Sequence, residues 1–171
     1  CEEYKLPMNK KIKEFSTGMK RKLQIFAAIT HKAKLLLLDE PTSGLDVVAR
    51  EQILTLLREY METEGRAILI SSHLSGDLET FCDDIYLIQK GTITFHEEMD
   101  RLLDAYGLLK VSEEVYKKMD KSYIICRKKE NFGWSCLTDQ KAYYQMHNPE
   151  IVIEKGSVDE LILLMAGGER I

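Results

Sequence analysis

The sequence contains no apolar run that approaches the roughly 20 residues of a membrane-spanning helix. It also has no excess of basic residues: the formal net charge is −4, which makes binding to nucleic acid through bulk electrostatics a poor expectation. With 44% hydrophobic and 30% charged residues, the chain has the proportions of a globular protein rather than those of a disordered one.

The cysteines offer no zinc site. They are Cys1, Cys82, Cys126 and Cys136, whereas zinc ligands usually come in closely spaced groups. We therefore expect free thiols in a reducing cytosol, where disulfides are rare.

Apolar periodicity predicts alternating helices and strands in the first half of the chain. A helix is expected over residues 18–31, with Ser16 as its N-cap. Residues 35–38 are all leucine, which predicts a short parallel strand buried on both faces, and residues 67–70 predict a second buried strand. A helix capped by Asp46 lies between the two strands. Strands that alternate with helices indicate an α/β layer structure.

The composition changes near Tyr106, where a second pattern begins. Its predicted elements are strand 108–111, helix 113–119, strand 122–127, strand 132–137, helix 139–146 and strand 150–154. This β-α-β-β-α-β order is typical of the ferredoxin-like split. Ser157 and Glu160 form a capping box that opens a last helix. We therefore expect two domains, over residues 1–105 and 106–171.

Two acids directly follow the all-leucine strand. Asp39 and Glu40 would emerge at its C-terminal end, where ligands of open parallel sheets bind. A carboxylate there can hold Mg²⁺ through water, and the next carboxylate can polarise an attacking water. Taken alone, such a pair has a simpler interpretation as a solvated strand end.

Two further segments carry groups that suit a phosphate. Ser16 and Gly18 stand at the start of the predicted 18–31 helix, where free N–H groups and the positive end of the helix dipole attract anions. His73 directly follows the second strand, and an imidazole can donate a hydrogen bond to a phosphate oxygen at neutral pH. Taken singly, Ser16 indicates an ordinary helix cap and His73 a structural histidine.

The combination of these segments resembles the ATPases of ABC transporters. Residues 35–46, LLLLDEPTSGLD, are similar to the Walker B segment and D-loop of that family. Residues 15–19, FSTGM, resemble its signature motif Leu-Ser-Gly-Gly-Gln, with the serine and one glycine retained and the other three positions changed. His73 stands where the family has its switch histidine. The resemblance covers about residues 15–95, roughly half of the chain.

The resemblance implies a fold and a set of roles. The fold is α/β: the C-terminal part of a P-loop NTPase parallel sheet with flanking helices, followed by a small ferredoxin-like α+β tail. In the family, two subunits sandwich two ATP molecules, so that ATP and Mg²⁺ are the implied cofactors. The implied roles are Mg²⁺ binding through water for Asp39, catalysis for Glu40 and His73, and contact with ATP across the dimer interface for Ser16, Gly18 and Asp46.

The resemblance also implies partners and a location. The expected partners are a transmembrane permease and a second ABC ATPase subunit, in a homodimer or a heterodimer, with no nucleic acid. The expected location is cytoplasmic, peripheral on the inner face of the cell membrane. Residues 154–160, EKGSVDE, resemble the C-terminal extension of bacterial subunits that pair with ABC-2-type permeases, with Gly156 in place of a proline.

One motif of the family is missing. No Gly-x-x-x-x-Gly-Lys-Ser/Thr phosphate loop occurs in the 171 residues. Because that loop holds most of the triphosphate, we expect a substantial segment before Cys1 in a full-length parent, the energy-coupling ATPase of a transporter, and no hydrolysis by this chain alone. Two other hypotheses stay open: a soluble ABC-type ATPase that acts on nucleic acid or the ribosome, and a non-catalytic regulatory fragment that binds a complete cassette.

Overall fold

The computed structural model describes residue 7 and residues 9–171, so that Cys1 lies outside the described residues. These residues form two compact units, divided between Asp77 and Leu78. None of the helices in the described part of the chain combines the length and the apolarity that crossing a membrane requires. Cys82, Cys126 and Cys136 are free thiols, as predicted.

The first unit is built on two short parallel strands. Its elements are a 3₁₀ turn (Ile12–Glu14), α1 (Thr17–Thr30), β1 (Leu35–Asp39), α2 (Val47–Met61), β2 (Ala67–Ser71) and the beginning of α3 (Ser75–Phe81). β1 and β2 pair in parallel, with Leu35 opposite Ala67 and Asp39 opposite Ser71. The predicted alternation of helices and strands is therefore confirmed.

The two predicted helix caps of this unit are also confirmed. The Ser16 hydroxyl accepts a hydrogen bond from the Met19 backbone N–H at 3.2 Å. The Asp46 carboxylate accepts one from the Ala49 backbone N–H at 2.8 Å. Each cap satisfies a backbone donor that has no partner within its own helix.

The prediction that the two strands are buried on both faces is wrong. In β1, Leu36 is buried, but Leu35 and Leu37 are exposed, and in β2 Leu69 is exposed. Successive side chains of a strand point to opposite faces, and only one face of this small sheet is covered. The buried apolar side chains of the helices in this unit are Ile25, Ile53, Leu54, Leu56, Leu57 and Tyr60.

The second unit contains an antiparallel hairpin and a five-stranded sheet. Its elements after α3 are β3 (Asp84–Gln89), β4 (Thr92–Glu98), α4 (Met99–Ala105), β5 (Gly107–Val111), α5 (Glu113–Lys118), β6 (Ile124–Glu130), β7 (Gly133–Thr138), α6 (Lys141–His147), β8 (Val152–Glu154), α7 (Val158–Gly167) and β9 (Glu169–Arg170). β3 and β4 form the hairpin, and the larger sheet has the order β8-β5-β7-β6-β9. Its first four strands in chain order are arranged 4-1-3-2, which confirms the predicted ferredoxin-like split.

Both faces of the five-stranded sheet are covered. On one face, buried residues of β5 and β7 pack with Tyr116 of α5 and Tyr144 of α6. On the other face, Leu108, Cys126 and Leu137 pack with residues of α7 and of the β3–α4 segment. The apolar cluster on this other face contains residues from before and after the predicted domain boundary at residues 105 and 106, since it includes Met99 and Leu102 as well as Leu108. The domain boundary at that point stays a prediction.

Candidate functional site

The parallel pairing of β1 and β2 brings the polar ends of the two strands together. Asp39 lies opposite Ser71 in the register, and the Ser71 hydroxyl donates a hydrogen bond to the Asp39 carboxylate. The backbone N–H of Glu40 lies 3.1 Å from both the carbonyl oxygen and the hydroxyl oxygen of Ser71. Ser71 therefore joins the two strand ends, a role that the sequence pattern did not indicate, because a serine after an apolar run is common in turns.

Glu40 and His73 form a direct pair just beyond these strand ends. His73 Nδ1 lies 2.7 Å from Glu40 Oε2, and the two side chains are 64% and 34% exposed, respectively. An ionised carboxylate can only accept hydrogen bonds, so Nδ1 is the donor and Nε2 is left for another partner. Three of the residues singled out in the sequence, Asp39, Glu40 and His73, thus lie at one rim of the sheet.

The backbone at Glu40 has an uncommon conformation. Its φ is +46°, in the left-handed region that side chains other than glycine seldom adopt. Such a conformation costs about 1–3 kcal/mol and persists only where the surroundings enforce it. Glu40 lies at the bend between β1 and the turn over residues 41–44.

The carboxylate of Asp39 is suited to magnesium. Mg²⁺ is usually held in proteins by one or two carboxylates together with substrate phosphates and water, rather than by a cage of protein ligands. Asp39 is exposed at the strand end, and the described residues contain no group of three or more potential metal-ligating side chains. A single exposed carboxylate is a donor of the kind that Mg²⁺ uses beside substrate phosphates.

A second group of predicted residues lines a separate pocket between the N-terminal ends of α1 and α2. The pocket has a volume of about 310 Å³, and its lining includes Ser16, Gly18, Lys22, Asp46 and Gln52. A Cβ atom on Gly18 would lie 3.3 Å from Ala49 Cβ, so the two helix ends approach closely there. Asp39, Glu40 and His73 are not among the residues of this pocket.

The sequence matches a family profile and ABC transporter ATP-binding proteins over part of its length. A family profile described as "AAA domain, putative AbiEii toxin, Type IV TA system" matches residues 10–76. An uncharacterized ABC transporter ATP-binding protein of Bacillus subtilis, YdbJ, is 45% identical over 83 residues, which cover 48% of this chain and 27% of that protein. The ABC transporter ATP-binding protein YtrB of Bacillus subtilis is 35% identical over 103 residues, which cover 60% of this chain and 35% of that protein.

About half of this chain is homologous to ABC transporter ATP-binding proteins. The resemblance found in the sequence is thereby confirmed. Among solved structures, a dimeric post-hydrolysis state of the ATP-binding cassette MJ0796 bound to ADP and Pi matches with a TM-score of 0.51 and 24% identity, covering 57% of this chain and 43% of that one. This likeness concerns the fold, and it confirms the predicted α/β class. The chain thus spans only about a quarter to a third of the length of these ABC transporter ATP-binding proteins.

Proposed function

We propose that this chain forms parts of two ATP sites in an ABC-type ATPase. Asp39, Glu40 and His73 belong to one site, and the signature residues Ser16 and Gly18 belong to the other. The observation that carries the proposal is the Glu40–His73 pair at 2.7 Å, beside Asp39 at the ends of two parallel strands. A solvated strand end has no need of a histidine from the segment that follows the neighbouring strand. Homology to ABC transporter ATP-binding proteins supports the same function.

In this proposal each of the three residues at the rim of the sheet has its own chemical role. The Glu40 carboxylate accepts a proton from the attacking water, as a general base does. His73 donates through Nδ1 to Glu40, and Nε2, which in that neutral tautomer can only accept, takes a hydrogen bond from the attacking water and orients it beside the γ-phosphate. Asp39, oriented by the Ser71 hydroxyl, holds Mg²⁺ through water. The metal, when bound, neutralises the charge that develops on the phosphate oxygens.

Ser16, Gly18 and Asp46 form the other half of the proposed function. The start of α1 offers free backbone N–H groups, and we assign them to the γ-phosphate of an ATP molecule held by a second subunit. Asp46 belongs to the same pocket and is assigned to contact across that interface. In this proposal the pocket residues contact one ATP molecule of a homodimer or heterodimer, and Asp39, Glu40 and His73 act on the other.

A phosphate loop is needed to complete each site. It is absent from the 171 residues, so this chain alone is proposed to be inactive, and the loop comes from another segment or another chain. We call the assembly that includes it the complete ATPase. Within it, residues 1–105 are assigned to the ATPase domain and residues 106–171 to an accessory domain.

The complete ATPase is proposed to drive a transmembrane permease from the cytoplasmic face of the membrane. The names of YdbJ and YtrB, which are ABC transporter proteins, support a transporter over a soluble ATPase that acts on nucleic acid or the ribosome. Co-purification of the complete ATPase tests this choice. Recovery with an integral membrane protein is expected, and recovery with ribosomes or DNA instead would contradict it.

The catalytic role of Glu40 is tested with Glu40→Gln in the complete ATPase. The change keeps the size of the side chain and removes the base, so ATP binding should persist while turnover falls by at least about a hundredfold. Glu64→Gln, at an exposed position after α2, is the matched control and should behave as wild type. Wild-type turnover by the Glu40→Gln protein would remove Glu40 from the mechanism and with it the proposed function.

A further inference from the structure

A buried polar contact joins the two chain segments that carry Glu40 and His73. The Thr42 hydroxyl donates a hydrogen bond of 2.7 Å to Asp77 Oδ2, and these residues are 0% and 4% exposed. Thr42 stands two residues after Glu40, and Asp77 stands four residues after His73. Both residues lie in the first unit, and no pattern in the sequence singled them out.

The Asp77 carboxylate also has a basic neighbour. Arg50 Nη1 of α2 lies 3.6 Å from Asp77 Oδ1, and Arg50 Nε is buried without a hydrogen-bond partner among the residues that the structure describes. A buried carboxylate is costly unless hydrogen bonds and opposite charge compensate for the loss of water. Asp77 is therefore held firmly in place, and it holds Thr42 in turn.

The exposed Glu40–His73 pair cannot fix its own geometry. Solvent competes for both side chains, and ion pairs with this exposure contribute little to stability. A buried, charge-assisted hydrogen bond is much stronger, because it is shielded from water. The left-handed backbone at Glu40, with φ +46°, likewise needs neighbouring contacts that enforce it.

We infer that the Thr42–Asp77 hydrogen bond is a clamp that sets the position of Glu40 relative to His73. Thr42 and Asp77 are then positioning residues for the reaction: both are buried, and they act by fixing the turn after β1 against the beginning of α3. The catalytic meaning of the clamp rests on the proposed function, but the geometric claim does not.

The geometric claim is tested on this chain by NMR of the His73 imidazole nitrogens. Thr42→Val keeps the shape of the side chain and removes the hydroxyl, whereas Thr42→Ser keeps the hydroxyl. The Nδ1 resonance of His73 should change in Thr42→Val as it does in Glu40→Gln, and it should stay at the wild-type position in Thr42→Ser. A wild-type Nδ1 resonance in a folded Thr42→Val protein would overturn the clamp.

A measurement on the wild-type chain tests the same geometric claim without relying on a folded Thr42→Val protein. In increasing, sub-denaturing urea, the Nδ1 chemical shift of His73 should move over the same urea range in which the buried Thr42 hydroxyl proton loses protection from exchange. Loss of protection at Thr42 while the Nδ1 chemical shift of His73 stays unchanged would show that the pair does not depend on the clamp.

Kinetics of the complete ATPase separate a positioning role from a purely structural one. In Thr42→Val, kcat should fall about tenfold to a hundredfold, as expected for a small misplacement of reacting groups, while KM for ATP stays within about twofold. Thr42→Ser should restore kcat. Equal kcat in Thr42→Val and wild type would overturn the positioning role. Wild-type turnover in Glu40→Gln would instead overturn the proposed function, and the NMR result would still decide whether the clamp exists.

Discussion

Leu36 and Leu37 are neighbours in β1, yet Leu36 is 5% exposed and Leu37 is 68% exposed. The pleat of the strand sends the two side chains to opposite faces. Leu37 lies opposite Leu69 in the parallel register, and Leu69 is 61% exposed. The uncovered face of the small sheet therefore presents a continuous apolar surface, which we call the leucine face.

The first prediction concerns self-association through the leucine face. Replacing Leu37 and Leu69 together by Lys should reduce concentration-dependent light scattering and the fluorescence of an apolar dye, because large exposed apolar surfaces associate. The free energy of unfolding should change by no more than about 0.5 kcal/mol per site, since neither side chain is buried.

Leu36→Ala is the matched control for this pair. The side chain is buried, so its loss should destabilise the protein by about 2–4 kcal/mol without reducing dye binding. Undiminished scattering in the double Lys variant would show that another surface drives association.

The second prediction concerns acid stability and follows from Glu97 at the end of β4. Its carboxylate accepts hydrogen bonds from the Tyr106 hydroxyl at 3.0 Å and from Arg101 at 2.6 Å. Burial alone would raise the pKa of Glu97, but the hydrogen bonds from Tyr106, the Glu98 backbone and Arg101 lower it overall. A carboxyl with a lowered pKa stabilises the folded state above its unfolded pKa of about 4.3, and this contribution is lost as the pH falls through the folded value.

Urea unfolding of wild type and Glu97→Gln at pH 7 and pH 3 measures this contribution. The wild type should be the more stable protein at pH 7, and the difference between the two midpoints should narrow at pH 3. A difference that is equal at both pH values would mean that Glu97 acts through its shape and not through its charge.

The third prediction concerns Gly156, between β8 and α7. Its φ is +42°, and an added Cβ atom would lie 2.9 Å from Leu108 Cδ1, a side chain of the sheet core. Proline fixes φ near −65°, so it cannot adopt this backbone. The departure at this position from the proline of the resembling subunits therefore has a local structural reason.

Gly156→Pro should lower the free energy of unfolding by about 1–3 kcal/mol or more, as measured by urea titration. Gly167→Ala is the control, because a Cβ atom there would meet no atom of the described residues within 4 Å, and the residue lies at the end of α7. That change should be neutral or slightly stabilising. A Gly156→Pro protein as stable as the control would show that the turn can adopt a second conformation.

The parts of this fold that could be predicted are those that depend on neighbouring residues. Ser16, Asp46 and Ser157 were recognisable as helix caps, because a cap needs only a short polar side chain and the backbone N–H groups of the next turn. The placement of His73 on the same rim as Asp39 and Glu40 could also be predicted, since parallel strands bring their C-terminal ends together; the direct hydrogen bond between His73 and Glu40 could not.

Other features depended on contacts that no local pattern encodes. Four consecutive leucines do not indicate which of them will be buried, because the elements that pack on each face of the sheet decide their burial. The Thr42–Asp77 contact joins residues that are 35 positions apart, and each is of a type that is usually exposed. Burial of such a pair is a tertiary property, visible only once the strands are placed.

The last prediction separates two roles of Asp46. Its carboxylate caps α2, a helix whose Ile53 and Leu57 are fully buried, and it is also proposed to act across the ATPase dimer. Asp46→Ala removes the cap and should destabilise this chain by about 1 kcal/mol. Asp46→Asn keeps a capping oxygen and removes the charge, so its stability should match wild type while ATP turnover by the complete ATPase falls. Wild-type turnover in Asp46→Asn would leave capping as the whole role of Asp46, because the charge would then contribute nothing at the interface.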